Sequence, residues 1–120
     1  MQILIVEDDP CSRRLLEVVL QKLGYSVTAC RDGVEAWEMF QKSPFPAVIS
    51  DWMMPEMDGI ELCRRIRRHR NPDECYFMML TSKDNSSDYV EALQAGADGY
   101  MTKPLNSSKL RERLTAANIT

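Results

Sequence analysis

The chain has 120 residues, 44% of them hydrophobic and 28% charged, and a formal net charge of -3. That length and balance fit one soluble globular domain, and the slight acidity excludes a whole-chain attraction to nucleic acid or anionic lipid. No apolar run approaches the roughly 20 residues of a membrane span, and no signal peptide precedes the first apolar segment, so a cytoplasmic location is expected.

Residues 3–6 form a short unbroken apolar run, as in a strand covered on both faces. Asp9-Pro10 then reads as a helix start, with Asp as N-cap and Pro at the first helical position. Leu15, Leu16, Val19, Leu20 and Leu23 recur at helical spacing, and Gly24 suits a left-handed close. Residues 25–29 alternate like an outer strand. Asp32-Gly33 opens a second helix with Trp37 and Phe40 on its apolar side, and the Pro-containing segment 43–46 stops it before a strand at 47–50. Asp58-Gly59 opens a third helix through Ile60, Cys63 and Ile66, which Asn71-Pro72-Asp73 ends. A fourth strand at 76–80 leads to a helix over 86–95 closed by Gly96, and a short strand follows at 99–102. In the last helix Asn106 is the N-cap, with Leu105 placed to pack on Leu110. Five strand–helix units without a linker or repeat predict a parallel sheet covered by helices on both faces.

The chemistry sits at the strand ends. Asp51 follows a buried strand and precedes Trp-Met-Met-Pro55, which puts a carboxylate at the mouth of the sheet, where such folds bind ligands. A carboxylate there can attack phosphorus and form an acyl phosphate, although an isolated Asp after a strand is more often a turn residue. Glu7 and Asp8 add hard oxygen ligands of the kind Mg²⁺ takes, and bound metal would relieve their mutual repulsion. Asp9 is assigned to the helix cap rather than to the site. Thr81 and Lys103 supply a hydroxyl and an ammonium that can hold phosphoryl oxygens, and the Lys103-Pro104 bond is a candidate for the cis form. Each residue alone has an ordinary reading as a turn or solvated residue. Their occurrence in this order, each at a strand end, points to phosphoryl transfer onto an aspartate.

Other features are assigned to the background. Cys11, Cys30, Cys63 and Cys75 have no CxxC spacing and read as reduced thiols. The Arg64–Arg70 cluster reads as the solvated face of the third helix, its cations near the negative end of the helix dipole, with binding of nucleic acid or an acidic partner as the competing reading. His69 has no neighbouring ligand set.

Val6-Glu7-Asp8-Asp9, the stretch from Asp51 through Pro55 to Asp58-Gly59, Leu80-Thr81-Ser82, Ala95-Gly-Ala-Asp98-Gly-Tyr100 and Lys103-Pro104 together resemble the receiver domain of two-component response regulators. The resemblance runs from Ile3 to about Leu114. It implies a flavodoxin-like fold with a five-stranded parallel sheet of order 2-1-3-4-5. It implies that Asp51 accepts a phosphoryl group from a sensor histidine kinase or a phosphotransfer protein. Asp8 and Asp51 would bind Mg²⁺ directly, Glu7 through water, and the Met53 backbone carbonyl would be a further ligand. Lys103 would contact the phosphoryl group, Thr81 would switch toward it, and Tyr100 would rotate in response. Gly59 would end the site loop.

On this reading the chain is a receiver domain over residues 1–120, the N-terminal part of a longer regulator with an output domain after Thr120. It catalyses only its own phosphorylation and dephosphorylation. Its reporting surface is helix four, strand five and helix five, also the candidate face for a homodimer. No membrane and no direct nucleic-acid contact is expected. Met53 and Lys83, two residues beyond Asp51 and Thr81, are expected to obstruct the hydrolytic water and lengthen the phosphorylated state. Two alternatives compete. An aspartate-nucleophile phosphatase needs a second acid two residues after the nucleophile, where Met53 stands. A phosphorylation-independent interaction module would be expected to lack Asp51, Asp8 or Lys103, and all three are present. A dinucleotide-binding role fails for want of GxGxxG after the first strand.

Overall fold

A computed structural model describes residues 2–43, 45–69, 74–82 and 86–119, the side chains of 86–88 excepted. The elements in order are β1 (Gln2–Val6), α1 (Pro10–Lys22), β2 (Ser26–Cys30), α2 (Gly33–Lys42), β3 (Ala47–Asp51), α3 (Gly59–His69), β4 (Tyr76–Thr81), α4 (Ser86–Ala95), β5 (Gly99–Thr102) and α5 (Ser107–Ala116). The strands form one sheet in the order β2-β1-β3-β4-β5, and all four pairings are parallel. This is the flavodoxin-like topology that the resemblance implied.

The starts of α1, α2, α3 and α5 share one device. Asp9 Oδ2 accepts from the Ser12 N–H at 2.8 Å, Asp32 Oδ1 from Glu35 at 2.8 Å, Asp58 Oδ1 from Glu61 at 2.9 Å and Asn106 Oδ1 from Lys109 at 3.0 Å. Each satisfies an otherwise orphaned amide, an effect of about 1 kcal/mol per cap. Asp9 is thus committed to α1, as its sequence position suggested. Gly24 closes α1 and Gly96 closes α4, with φ of 98° and 108°. In the left-handed region a side chain would be strained.

Strand alternation divides the core in two. Leu4, Val6, Val48, Phe77 and Met79 face α2, α3 and α4, meeting Phe40, Leu62, Ile66 and Ala92. Ile3, Ile5, Ile49, Met78 and Leu80 face α1 and α5, meeting Leu16, Leu20, Leu110 and Leu114. Each such fully buried side chain contributes roughly 1.5–3 kcal/mol, so the central strands are fixed in register by both faces. Leu105 packs against the second cluster, of which Leu110 is a member.

Three details differ from the sequence reading. β2 is displaced by one residue, running from Ser26 to Cys30. β3 and β4 extend one residue further, so Asp51 and Thr81 are the last members of their strands, registered on Leu80 and Thr102. Ladder pairing holds them more firmly than a loop would. The arginine cluster is not one solvated face: Arg67 turns inward. Its guanidinium donates to Gly96 O at 2.8 Å, Cys75 O at 2.7 Å and Asp98 Oδ2 at 2.6 Å, and the same Asp98 oxygen accepts from the Phe77 N–H at 2.9 Å. Those bonds tie the end of α3 to the start of β4 and to the α4–β5 turn. Pro44, Arg70, Asn71-Pro72-Asp73 and Lys83 lie outside the described residues. None of the four cysteines is disulfide-bonded. Among the described residues no helix is long and apolar enough to cross a membrane.

Candidate functional site

Because β1, β3, β4 and β5 are neighbours in the sheet, their carboxyl ends lie in a row. That row brings Glu7, Asp51, Thr81 and Lys103 to one edge from positions scattered along the chain. Glu7, Asp8 and Asp51 each offer a carboxylate oxygen, and the three atoms lie within 4.8 Å of one another. Glu7 is 2% exposed and Asp51 8%, whereas Asp8 opens to solvent. Lys103 Nζ donates to Glu7 Oε2 at 2.8 Å and stands 3.6 Å from Asp51 Oδ2. Thr81 is fully buried at the end of β4, and its carbonyl accepts from the Lys103 N–H at 2.7 Å. The Lys103–Pro104 bond is cis.

Backbone contacts hold the acids in place. The Trp52 N–H donates to Asp51 Oδ1 at 2.8 Å, and the Asp9 N–H donates to Glu7 Oε1 at 3.2 Å. From the first turns of α1, Arg13 Nη1 donates to the Glu7 carbonyl at 3.0 Å. Nothing in the spacing marked Arg13: it reaches back six residues because α1 begins directly over the end of β1.

The electrostatics follow from this arrangement. Burial, reinforced by the neighbouring Glu7 charge, pushes the Asp51 carboxyl up to about 6, against the pull of Lys103 and the Trp52 amide. Burial works against the Lys103 charge. Its hydrogen bond to Glu7 and the charges of Asp51 and Glu7 outweigh that, and its pKa lies above the ordinary lysine value. Lys103 sits closer to Glu7 than to Asp51, which leaves Asp51 the less compensated acid. One ammonium stands against two of the three clustered carboxylates, and the ligand set is all oxygen. A hard divalent cation such as Mg²⁺ fits that set, with room to keep its own waters.

Met53, expected to add a carbonyl ligand and to screen the site, lies on the loop two residues past Asp51 with its side chain 57% exposed. Tyr100 is half-buried on β5 and packs against the core under α2, α3 and α4. Its ring stands edge-to-face with Trp52 at 6.4 Å and with Tyr89 of α4 at 5.5 Å. Sequence reasoning singled out neither Trp52 nor Tyr89; the only available signal was an aromatic directly after the acid and another one helix away. On the other flank a groove of about 180 Å³, lined by Leu15, Leu16, Leu80, Pro104 and Leu105, opens beside Glu7 and Lys103.

Residues 3–115 match the family model described as "Response regulator receiver domain". The chain is 40% identical over 116 residues to "Response regulator MprA" of Mycobacterium avium, covering 97% of this chain and 50% of that protein. It thus spans about half the length of that relative. It is 34% identical over 116 residues to a "Chemotaxis protein CheY homolog" of Campylobacter jejuni, covering 95% of this chain and 89% of that one. Its fold superimposes on the solved structure of the Vibrio cholerae chemotaxis protein CheY4 with a TM-score of 0.90, at 32% identity and 97% coverage of both chains.

Proposed function

The chain belongs to the response regulator receiver family, and we propose that it accepts a phosphoryl group on Asp51 from a phosphohistidine donor, in a reaction that requires Mg²⁺. The observation that carries this reading is the Glu7–Asp8–Asp51 cluster with Lys103 set against it at the carboxyl end of the sheet. Glu7, Asp8 and Asp51 would hold the cation, with the Met53 carbonyl as the further ligand that family resemblance implies. When bound, Mg²⁺ supplies charge neutralisation on the phosphoryl oxygens.

The protein's own residues do the rest. Asp51, with a pKa of about 6, is mostly ionised at neutral pH and ready as a nucleophile. One of its carboxylate oxygens forms the new bond to phosphorus as the bond to the donor imidazole breaks, and the donor nitrogen keeps that electron pair. The Trp52 amide fixes the carboxylate's orientation through Oδ1. Lys103 offsets charge on the moving group, a role worth about 10²–10³ in rate for a preorganised donor. The acyl phosphate then carries close to two negative charges, which the Thr81 hydroxyl and Lys103 contact. Thr81 turning toward it vacates space that Tyr100 occupies, a local charge event driving a packing change. The apolar groove beside Glu7 and Lys103 gives the kinase or phosphotransfer protein a footing. Exposed Tyr89, Val90 and Leu93 on α4 suit the surface that meets an output domain or a second copy.

The test is intact mass after incubation with Mg²⁺ and acetyl phosphate. A single phosphoryl adduct is expected, absent without Mg²⁺ and absent in Asp51→Asn. A folded protein that takes no adduct would instead favour the phosphorylation-independent interaction module.

A smaller effect concerns lifetime. Met53, exposed on the loop two residues past Asp51, is apolar and cannot orient a hydrolytic water by hydrogen bonding. In Met53→Asn an amide can hold that water through one hydrogen bond. Dephosphorylation should accelerate about 3–10-fold, the effect of roughly 0.7–1.4 kcal/mol. The decay of the adduct after donor removal measures it, and an unchanged rate refutes the screening role.

A further inference from the structure

With Arg67 turned inward, the outward cations of α3 include Arg64, Arg65 and Arg68. Arg65 and Arg68, with His69 and with Trp37 of α2, line an open cavity of about 260 Å³ between the two helices. The indole is half-buried against the core, and two rings hold it. Phe40 is stacked on it at 6.4 Å, and His69 stands edge-on to it at 5.3 Å and to Phe40 at 6.2 Å. On the polar side one carboxylate serves two guanidinium groups. Glu61 Oε2 accepts from Arg65 Nε at 3.1 Å and from Arg68 Nη2 at 3.4 Å, the second at the long limit of a hydrogen bond. Among the described residues neither arginine has another acid in ion-pair reach. The cavity thus sets a held aromatic wall beside positive charge that Glu61 only partly neutralises.

We propose that this cavity docks an acidic segment of a partner protein, one that sets a carboxylate against Arg65 and Arg68 and an apolar side chain against Trp37. Tryptophan and arginine are enriched among the residues that carry binding energy at protein interfaces, and an indole already held by its neighbours loses little freedom on binding. An incoming carboxylate needs to displace only the long Arg68–Glu61 bond to reach a guanidinium fork. Charge selects the occupant. The chain as a whole carries -3, so a long polyanion such as nucleic acid meets repulsion beyond the cavity, and a short acidic segment does not. The cavity is too open to enclose a small molecule. It also lies away from the acceptor. α3 starts at Gly59, whose N–H donates to the Trp52 carbonyl, and the helix carries His69 about 15 Å along its axis from there. A partner held at that end leaves the carboxyl end of the sheet open, so the inference stands apart from the acceptor reading of Asp51.

The experiment uses the ¹⁵N-labelled full chain, whose two tryptophans give two indole N–H signals: Trp37 at the cavity and buried Trp52 as the internal standard. The probe is a short blocked peptide of aspartate and glutamate around one central leucine. The Trp37 signal should move saturably with a Kd of about 0.1–1 mM at low salt, while Trp52 stays in place. In the Arg65→Gln, Arg68→Gln double variant, whose unmoved Trp52 signal shows that it is folded, affinity should fall at least about fivefold. In Glu61→Gln, which removes the protein's own competitor, affinity should rise about two- to fivefold. Arg111→Gln, which removes an exposed cation from α5 on the other face of the sheet, should bind the peptide as the unsubstituted chain does. A static Trp37 signal overturns the inference, as does an affinity unchanged in the double variant, not raised in Glu61→Gln, or equally weakened in Arg111→Gln. A Trp37 signal that moves with protein concentration alone makes the occupant a second copy of this chain. One that moves at lower concentrations of a single-stranded oligothymidylate than of the peptide makes it nucleic acid, and either result also overturns the proposal.

Discussion

Gly59→Ala should destabilise the protein by about 1–2 kcal/mol and slow phosphoryl acceptance at least tenfold. Helix propensity alone predicts the opposite, since Ala exceeds Gly in a helix by about 1 kcal/mol. The space decides. A Cβ on Gly59 would stand 2.5 Å from the Asp51 carbonyl oxygen, 2.7 Å from Met79 Sδ and 3.1 Å from Trp52 Cα. The methionine sulfur can give way; the Asp51 carbonyl cannot without moving the end of β3. Gly59 also donates its N–H to the Trp52 carbonyl at 2.9 Å, so the start of α3 cannot simply back away. Overpacking of this kind costs about 1–3 kcal/mol, and here the displaced backbone carries the nucleophile. Urea unfolding should show a lower midpoint with an unchanged slope. Equal or greater stability would mean the close approach is not enforced. The same protein should give a slower adduct with acetyl phosphate, since a carboxylate misplaced by even a fraction of an ångström loses its alignment.

Much of this fold was legible before any coordinates, and the reasons are local. Asp9-Pro10, Asp32-Gly33, Asp58-Gly59 and Asn106 are short-range signals, each read within one helical turn, and each is the cap its position suggested. The strands were found because a sheet covered on both faces demands unbroken apolar runs. Their ends were harder. Asp51 and Thr81 belong to the ladder, yet a polar residue after an apolar run looks like the first residue of a loop. The co-location of Glu7, Asp51, Thr81 and Lys103 followed from topology alone, since strand ends in a parallel sheet are neighbours. Which acid Lys103 would choose did not follow: 2.8 Å to Glu7 against 3.6 Å to Asp51 is a matter of side-chain reach. Arg67 was misread for a related reason. Four arginines on one helix look alike in sequence, but the one beside Gly96 and Asp98 finds two carbonyls and a carboxylate and turns in.

Lys103→Met should move two properties in opposite directions: phosphoryl acceptance falls by about 10²–10³, while the divalent cation binds about tenfold more tightly. The ammonium and the cation share Glu7 and Asp51, so removing the first leaves more unrelieved negative charge for the second. A residue that merely supported the fold would weaken both. The metal-free variant should also be less stable, because Glu7 is buried and loses its partner. Breaking a fully buried pair costs about 3–5 kcal/mol, and with Lys103 partly open to water the loss should be nearer 1–3 kcal/mol. Its pH dependence has a definite sign. The Asp51 pKa is raised in the folded protein, from about 3.8 to about 6. Folding is therefore favoured by the protonated acid below pH 4, and that contribution is lost as pH rises through 6. Lys103, whose folded pKa is also raised, contributes throughout this window and fails only above its own, alkaline, pKa. Without Lys103 the Asp51 pKa should climb further, and the loss of metal-free stability between pH 4 and pH 7, about 1–2 kcal/mol before the substitution, should deepen. Chelated samples unfolded in urea across that range measure the deepening. Calorimetric titration with Mg²⁺ measures the affinity, and an affinity that falls with the acceptance rate would remove Lys103 from its proposed place against the acids.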